Sequence, residues 1–492
     1  MKRVLYASAA LIALPVISNA QDAGDALRYS QLTFGGTARY MAMGGAFSAI
    51  GGDMSTLAVN PAGIGVFVKS QLAFSPGITY QSTSSQLNGQ SAIGTESSGN
   101  VQNGGMILAW KNSHEDAVWR AITFGIVYNR TNDFNYQINT QGNNSSSSLL
   151  DAYTSQANGT NWAKLDQYYT GPAFGAFLMD TNKGGNSYFN IIRPYLAKGD
   201  YITQQNSVST SGSMGETDIS FGGNYKDKLY IGLTVGIPSI NYTENIVYSE
   251  TPAYNDTIFG LKGYSVTSNV QTSGTGVNLK LGVIYRVNDW ARVALAVHTP
   301  SVFSLTEQYS TNITATYNPS AYFPSGGSVP QYSPEGSSNF TLTTPMRVIG
   351  GVAFVIHKQG ILSADYEYVN YSTASISEGA NAYSSVNQAI SSSYIAKEDF
   401  HVGGEWVMFP FSVRAGYAYY GNPYAKGDGI STIKRSISGG LGVKIKHWFI
   451  DLAYVYSYYN ENEYIYTSPD GNAIANNSNT LSSVVLTVGI NF

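Results

Sequence analysis

The chain has 492 residues, no cysteine, a net charge of −4, and 12% charged against 43% hydrophobic residues. The missing cysteines exclude a disulfide framework, a thiolate metal site and a lipidated N-terminal Cys, and a slightly acidic chain without a basic run gives nucleic acid no electrostatic footing. A soluble protein of this length would divide into several domains. One large transmembrane barrel also fits, because a chain rich in Tyr (38) and Gly (52) and poor in charge suits strands with one face in lipid, aromatic belts and a polar interior. A secreted all-β adhesin or sandwich array shares this composition, so the strand pattern has to separate the two.

Residues 1–20 read as an export signal. Lys2 and Arg3 form a basic start, Val4 to Ile17 an apolar run, and Ser18-Asn19-Ala20 the small residues ahead of a cleavage point before Gln21. The run is short for a membrane anchor, and no other segment holds 18 consecutive apolar residues. Any passage through a membrane must therefore be made by a closed barrel.

Residues 21–69 lack alternation and carry Met41, Met43, Phe47, Ile50, Leu57, Val59, Ile64 and Phe67. Such an apolar stretch needs burial, and a barrel lumen supplies it, so we expect a plug; a periplasmic tail or an extra strand is the alternative.

From residue 70 onward the chain alternates with period two. Leu229, Ile231, Leu233, Val235 and Ile237 oppose Tyr230, Gly232, Thr234 and Gly236, which is the pattern of a strand between two different phases. Fourteen strands are expected near 70–80, 101–111, 119–131, 204–225, 229–247, 264–287, 290–308, 340–357, 360–372, 393–408, 410–420, 432–446, 448–460 and 481–492. The gaps alternate between short (112–118, 226–228, 287–289, 358–359, 408–410, 446–447) and long (81–100, 132–203, 248–263, 309–339, 373–392, 421–431, 461–480). Short periplasmic turns and long external loops mark an outer-membrane barrel, whereas a Greek-key sandwich has no cause to alternate this way. The last strand ends its apolar face on Phe492, similar to the terminal signal by which barrel-assembly machinery recognises such proteins. The expected fold class is thus all-β: a transmembrane antiparallel barrel of about 14 strands, residues 70–492, with an N-terminal plug in its lumen.

Ala38-Arg39-Tyr40-Met41-Ala42-Met43-Gly44-Gly45-Ala46-Phe47, then Gly52-Asp53, then Asn60-Pro61-Ala62-Gly63, resemble the plug of the FadL/TodX-type transporters of long-chain fatty acids and hydrocarbons. Gly274 to Tyr285, followed by Trp290-Ala291-Arg292 and His298-Thr299-Pro300, is similar to that family's mid-barrel hairpin, and Thr344-Pro345-Met346-Arg347 and Ser363 to Tyr368 look like family strands. The resemblance implies a monomeric fourteen-stranded barrel with a hatch, set among membrane lipid and lipopolysaccharide. It implies passive uptake of hydrophobic molecules such as long-chain fatty acids, from an external apolar groove to a lumen pocket and then sideways into the bilayer where a strand kinks inward. An apolar ligand gains nothing from a wet lumen and is already soluble in the bilayer.

Two groups are candidate sites. Phe174, Phe177, Leu178 and Met179 in the largest loop, 132–203, either pack together or form the external groove. Lys280, Arg347, Asp365, Glu405 and Arg414, with Glu367, Lys444 and Asp451, fall on faces opposite the lipid, where charge avoids the cost of hydrocarbon. They form a neutralised network holding the plug, or one cation (Arg347 or Arg414) meets a ligand carboxylate bidentately. Five His and no nucleophile motif give no footing for an enzyme, a metal or a cofactor. The competing roles are a FadL-like barrel serving a secretion system at the surface without small-molecule transport, and a general polar porin, which a plug argues against.

Overall fold

A computed structural model describes residues 22–112, 117–182, 184–254, 256, 258–357, 359–378, 383–425 and 431–492. The expected signal peptide, with Gln21, lies outside the described residues, as do His114 and Lys358 in two expected turns.

Fourteen antiparallel strands follow one another around a closed wall. They are β1 Gln71–Leu87, β2 Gln90–Lys111, β3 Trp119–Asp133, β4 Ile202–Tyr225, β5 Leu229–Pro252, β6 Leu261–Arg286, β7 in two parts (Ala291–His298, Val302–Tyr317), β8 in two parts (Gly336–Thr343, Arg347–Ile356), β9 Gly360–Asn370, β10 Ala396–Met408, β11 Phe411–Tyr420, β12 Lys434–Ile445, β13 Trp448–Ser468 and β14 Gly471–Asn491. The ring closes where β1 pairs with β14, Gln71 opposite Asn491, and Ser70 and Phe492 exchange two backbone hydrogen bonds at 3.1 and 3.0 Å. Closure leaves no unpaired sheet edge along this junction.

Two of the expected long loops are strand. Residues 81–100 form a continuous hairpin of β1 and β2 that turns on Asn88-Gly89, both at positive φ, and residues 461–480 extend β13 and β14 into a hairpin pairing Ser468 with Gly471. The Asn-Gly and Asp470-Gly471 steps carry the turn chemistry of a tight hairpin; the polar outward residues beside them hide the strand periodicity. The long–short alternation is therefore not strict at these two connections. β7 and β8, expected as single strands, each break at a proline (Thr299-Pro300-Ser301 and Thr344-Pro345-Met346), since proline cannot donate to the ladder. The largest loop contains a strand continuing β3, Tyr136–Asn144, and three short helices, α3 Leu149–Ala157, α4 Thr170–Gly175 and α5 Arg193–Leu196.

No helix among the described residues is long and apolar enough to cross a membrane. The strands carry an apolar band instead: Leu281 and Val283 on β6, Leu295 on β7, Leu441 on β12 and Leu452 on β13 all face outward and exposed. Trp110, Trp119, Trp290, Trp406 and Trp448 lie at its periplasmic end. In water so wide an apolar surface would be a liability; in a bilayer it is the lipid-facing girdle.

The plug fills the lumen. It starts near the external end with α1 Ala23–Ser30, capped by Asp22, passes through α2 Ala38–Ala42 and two 3-10 turns, Met54–Ala58 and Pro61–Val66, and reaches the periplasmic end at Ser70. Above α1 sits α6 Ser384–Ser393, in the connection between β9 and β10; beside it, Tyr394 donates to the Ala23 carbonyl at 2.9 Å.

Candidate functional site: plug, seam and lumen

Asn60 is fully buried and caps the Pro61–Val66 turn, accepting from the Ala62 N–H at 3.1 Å. Its amide also donates to the Ser48 carbonyl at 2.8 Å and to the Val283 carbonyl on β6 at 3.4 Å. Asn60, Pro61, Ala62 and Ile64 lie against a row of cross-strand glycines, Gly222 opposite Gly232 and Gly232 opposite Gly282, while Gly63 packs inside the plug on Gly51 and Thr56. A Cβ at Gly232 would stand 2.6 Å from the Ala62 nitrogen and closer still to the Pro61 backbone. Bare backbone in the wall is what allows the plug backbone so near. A second seat holds Ala42 to Gly44: Gly403 and Gly416 are cross-strand partners under Met43 and Gly44, and a Cβ at Gly440 would stand 2.6 Å from that of Ala42.

Polar side chains of the wall finish the attachment. Ser48 donates its N–H (2.8 Å) and hydroxyl (2.6 Å) to Asp365. His401 Nδ1 donates to the Gly44 carbonyl at 2.6 Å, and His298 Nε2 to the Val59 carbonyl at 2.8 Å. Ser438 donates to the Ala42 carbonyl at 3.0 Å, and the Ala38 N–H to Thr487 Oγ1 at 2.7 Å. His298 belongs to the segment that resembles the family's hairpin, but neither its contact with the plug nor that of His401 was read from the sequence.

The lumen charges pair among themselves and with the plug. Glu405 binds Arg39 of α2 at 2.5 Å and Arg414 at 2.9 Å, and Arg414 binds Asp451 at 2.6 Å, so two cations and two anions close a neutral buried cluster. Lys280 sits between Glu216 and Asp218, the latter at 2.8 Å. Arg347 bridges Glu367 and the plug carbonyl of Ser30. Lys444 differs: it lies near the periplasmic end of β12 and is exposed.

The external candidates divide. Leu178 and Met179 are buried in a loop core with Leu150, Tyr153 and Ile192. Phe177 is 57% exposed and its ring meets Phe323 edge-on at 5.6 Å; Phe174 stacks on Trp162 at 6.3 Å. Only the aromatic pair reaches the surface side of that core.

One feature was not localised by the sequence. β2 and β3 pair from Asn103–Asn129 to Lys111–Ala121. Above that level the backbone ladder of β2 runs only to β1, and that of the β3 chain only to β4. At Phe134-Asn135 the chain turns inward: the Gln137 N–H donates at 3.2 Å to Gln81, a buried lumen-facing side chain of β1. A seam without a backbone ladder remains between residues 94–102 and 130–136. It is bridged by the Asn100 amide donating to Asp133 at 3.3 Å.

Behind the seam lies a cavity of about 60 Å³ lined by Thr33, Phe34, Gln102, Arg130, Tyr136 and Lys434, among others. Thr33, Phe34 and Gly35 of the plug line it. The Thr33 N–H donates to the Thr131 carbonyl at 2.8 Å, the Asn132 amide to the Gln31 carbonyl at 3.2 Å, and Phe134 packs edge-on to Tyr29 of α1 at 6.1 Å. The cavity has room for a few waters; an apolar cavity of roughly 150 Å³ is needed for a benzene-sized guest. The seam is closed in this state.

A closed barrel with a lipid-facing girdle, a lumen plug and long connections at one end defines a transmembrane protein of the bacterial outer membrane. Its fold is shared with a Pseudomonas aeruginosa FadL homologue (TM-score 0.57, 12% identity, covering 94% of this chain and 100% of that one) and with the P. putida toluene transporter TodX (TM-score 0.52, 14% identity, 93% and 99% covered). No protein-family model matches the chain, and no curated protein matches it. At such identities the likeness is one of fold: fourteen strands around an N-terminal plug.

Proposed function

We propose that the protein is a passive channel for hydrophobic molecules, which leave the lumen sideways through the β2–β3 seam. The observation that carries this reading is the inward turn of β3, which interrupts the wall beside a cavity and beside plug residues 31–35. An apolar solute passing there moves from a protein pocket to the bilayer without crossing water, so the whole gain of burial is retained. The fold neighbours, a FadL homologue and a toluene transporter, support the same reading. Exposed Phe177 and the Trp162–Phe174 stack form a first contact for ligand outside. Long-chain fatty acids are the finer choice of cargo, and Lys434, which makes no ion pair with any described residue, is the lumen cation placed for their carboxylate. Arg347 and Arg414 are already committed to carboxylates. A surface role in secretion would need no seam.

The test is a lock. The chain has no cysteine, so Thr33→Cys with Thr131→Cys joins the plug to β3 by a reducible bridge or a short bis-maleimide. In proteoliposomes we expect the locked form to lose uptake of a labelled alkyl or aromatic compound, and reduction of the bridge to restore it, with sugar flux low throughout. Hydrocarbon uptake unaffected by the lock would reject the seam as the exit, and equal slow flux of hydrocarbon and sugar would reject selective uptake.

A further inference from the structure

The lipid-facing girdle ends abruptly while the wall continues. On β5 the outward residue changes from Ile237 to Ser239, on β6 from Val277 to Thr275, and on β7 from Val302 to Ser304. Above that line the outward positions of 205–213, 239–249, 265–275 and 304–314 are all Ser, Thr, Asn or Gln apart from Val247. None is charged. These residues stand in cross-strand rows; one runs Ser211, Thr243, Gln271, Gln308, Ser337 across β4 to β8. Cross-strand partners within a row bond to each other: the Asn245 amide to Asn269 at 2.5 Å and the Thr306 hydroxyl to Asn339 at 2.7 Å. Tyr332, 72% exposed, lies beside Asn312 in the same face.

We propose that this wall binds the uncharged sugar chains of the lipopolysaccharide around the barrel. A surface built only for solubility carries about 25–35% charged residues of both signs; the outward positions of these four stretches carry none, and exposed Lys262 and Glu335 lie at the margin. It lacks Lys and Arg for lipid phosphates, and it is too polar for acyl chains. Pre-aligned hydroxyls and carboxamides, with an exposed tyrosine ring, match the hydroxyls and C–H faces of neutral sugars. The place fits as well. The polar wall is continuous with the girdle and rises about 25 Å above it, taking about 3.4 Å per residue and the usual strand tilt, which is where the saccharide of the outer leaflet begins. Five strands at about 4.8 Å spacing, each about ten residues of about 3.4 Å, make a patch of roughly 800 Å², ample for several sugar rings.

The experiment uses the full chain in nanodiscs and the neutral polysaccharide released from lipopolysaccharide by mild acid, with retention read by surface plasmon resonance. Gln271→Glu with Gln308→Glu places two charges at exposed positions without touching the core. Wild type should retain the polysaccharide above empty discs, the variant should bind about tenfold less, as expected for the loss of one or two well-made hydrogen bonds, and an acidic polysaccharide should bind neither. No retention by wild type, or retention unchanged in the variant, overturns the proposal. So does light scattering that shows a dimer dispersed by the same substitutions, which would give the wall to a second copy of the chain.

Discussion

At the scale of single residues, the lumen follows the rule that buried charge must be paired. Glu405 is the hinge of the best-defined cluster because it serves Arg39 in the plug and Arg414 in the wall together. Glu405→Gln removes the only carboxylate among the described residues that ion-pairs with both Arg39 and Arg414, and breaking a buried pair from one side costs about 3–5 kcal/mol. The expected result is a plug released from α2 outward, measured as faster protease cleavage within residues 31–53 with the barrel still heat-resistant on gels. Cleavage at the wild-type rate would show that the glycine seats alone hold the plug. The inward phase of Glu405, Arg414 and Asp451 was legible in the alternation of their strands; their pairing was not, because partners come from strands and a plug far apart in sequence.

Among elements, the fit between plug and wall depends on what the strands lack. Gly222, Gly232 and Gly282 sit on three neighbouring strands at one level, and their missing side chains make the bed for Asn60 to Ile64. Gly232→Val puts a branched side chain into the Pro61–Ala62 backbone, and overpacking of this kind costs about 1–3 kcal/mol or more. The barrel should still assemble, because the strand gains β propensity, while single-channel recordings should show a leak to small ions that wild type lacks. A silent, wild-type bilayer trace would mean that the 3-10 turn shifts to absorb the side chain. The motif Asn60-Pro61-Ala62-Gly63 was read as part of a plug through its resemblance to the family, and the structure shows it as a 3-10 turn capped by Asn60. The glycines that receive it read only as small residues in alternating strands.

For the whole molecule, the plug and barrel form two parts with separate sources of stability. The wall is closed by backbone ladders from β1 to β14, whereas the plug is held by side chains and close backbone packing. Removing residues 22–69 should therefore leave a barrel that inserts and resists heat, and turn a closed channel into an open pore, with conductance and polar antibiotic sensitivity both raised. A deletion that fails to assemble would show that the plug is part of the folding core.

Hydropathy phase, strand number, turn ends and the apolar plug were determined by the sequence by itself, since each rests on a local period or a local turn residue. Only the tertiary structure decided that 81–100 and 461–480 are hairpins, that wall glycines seat the plug, and that β3 leaves the wall at Phe134. The reason is physical. At the β1–β2 tip outside the girdle both faces are rich in Ser, Thr, Asn and Gln, so the period that betrays a strand in lipid fades. An inward turn is produced by partners on β1, β4 and α1, and no window of one strand contains them.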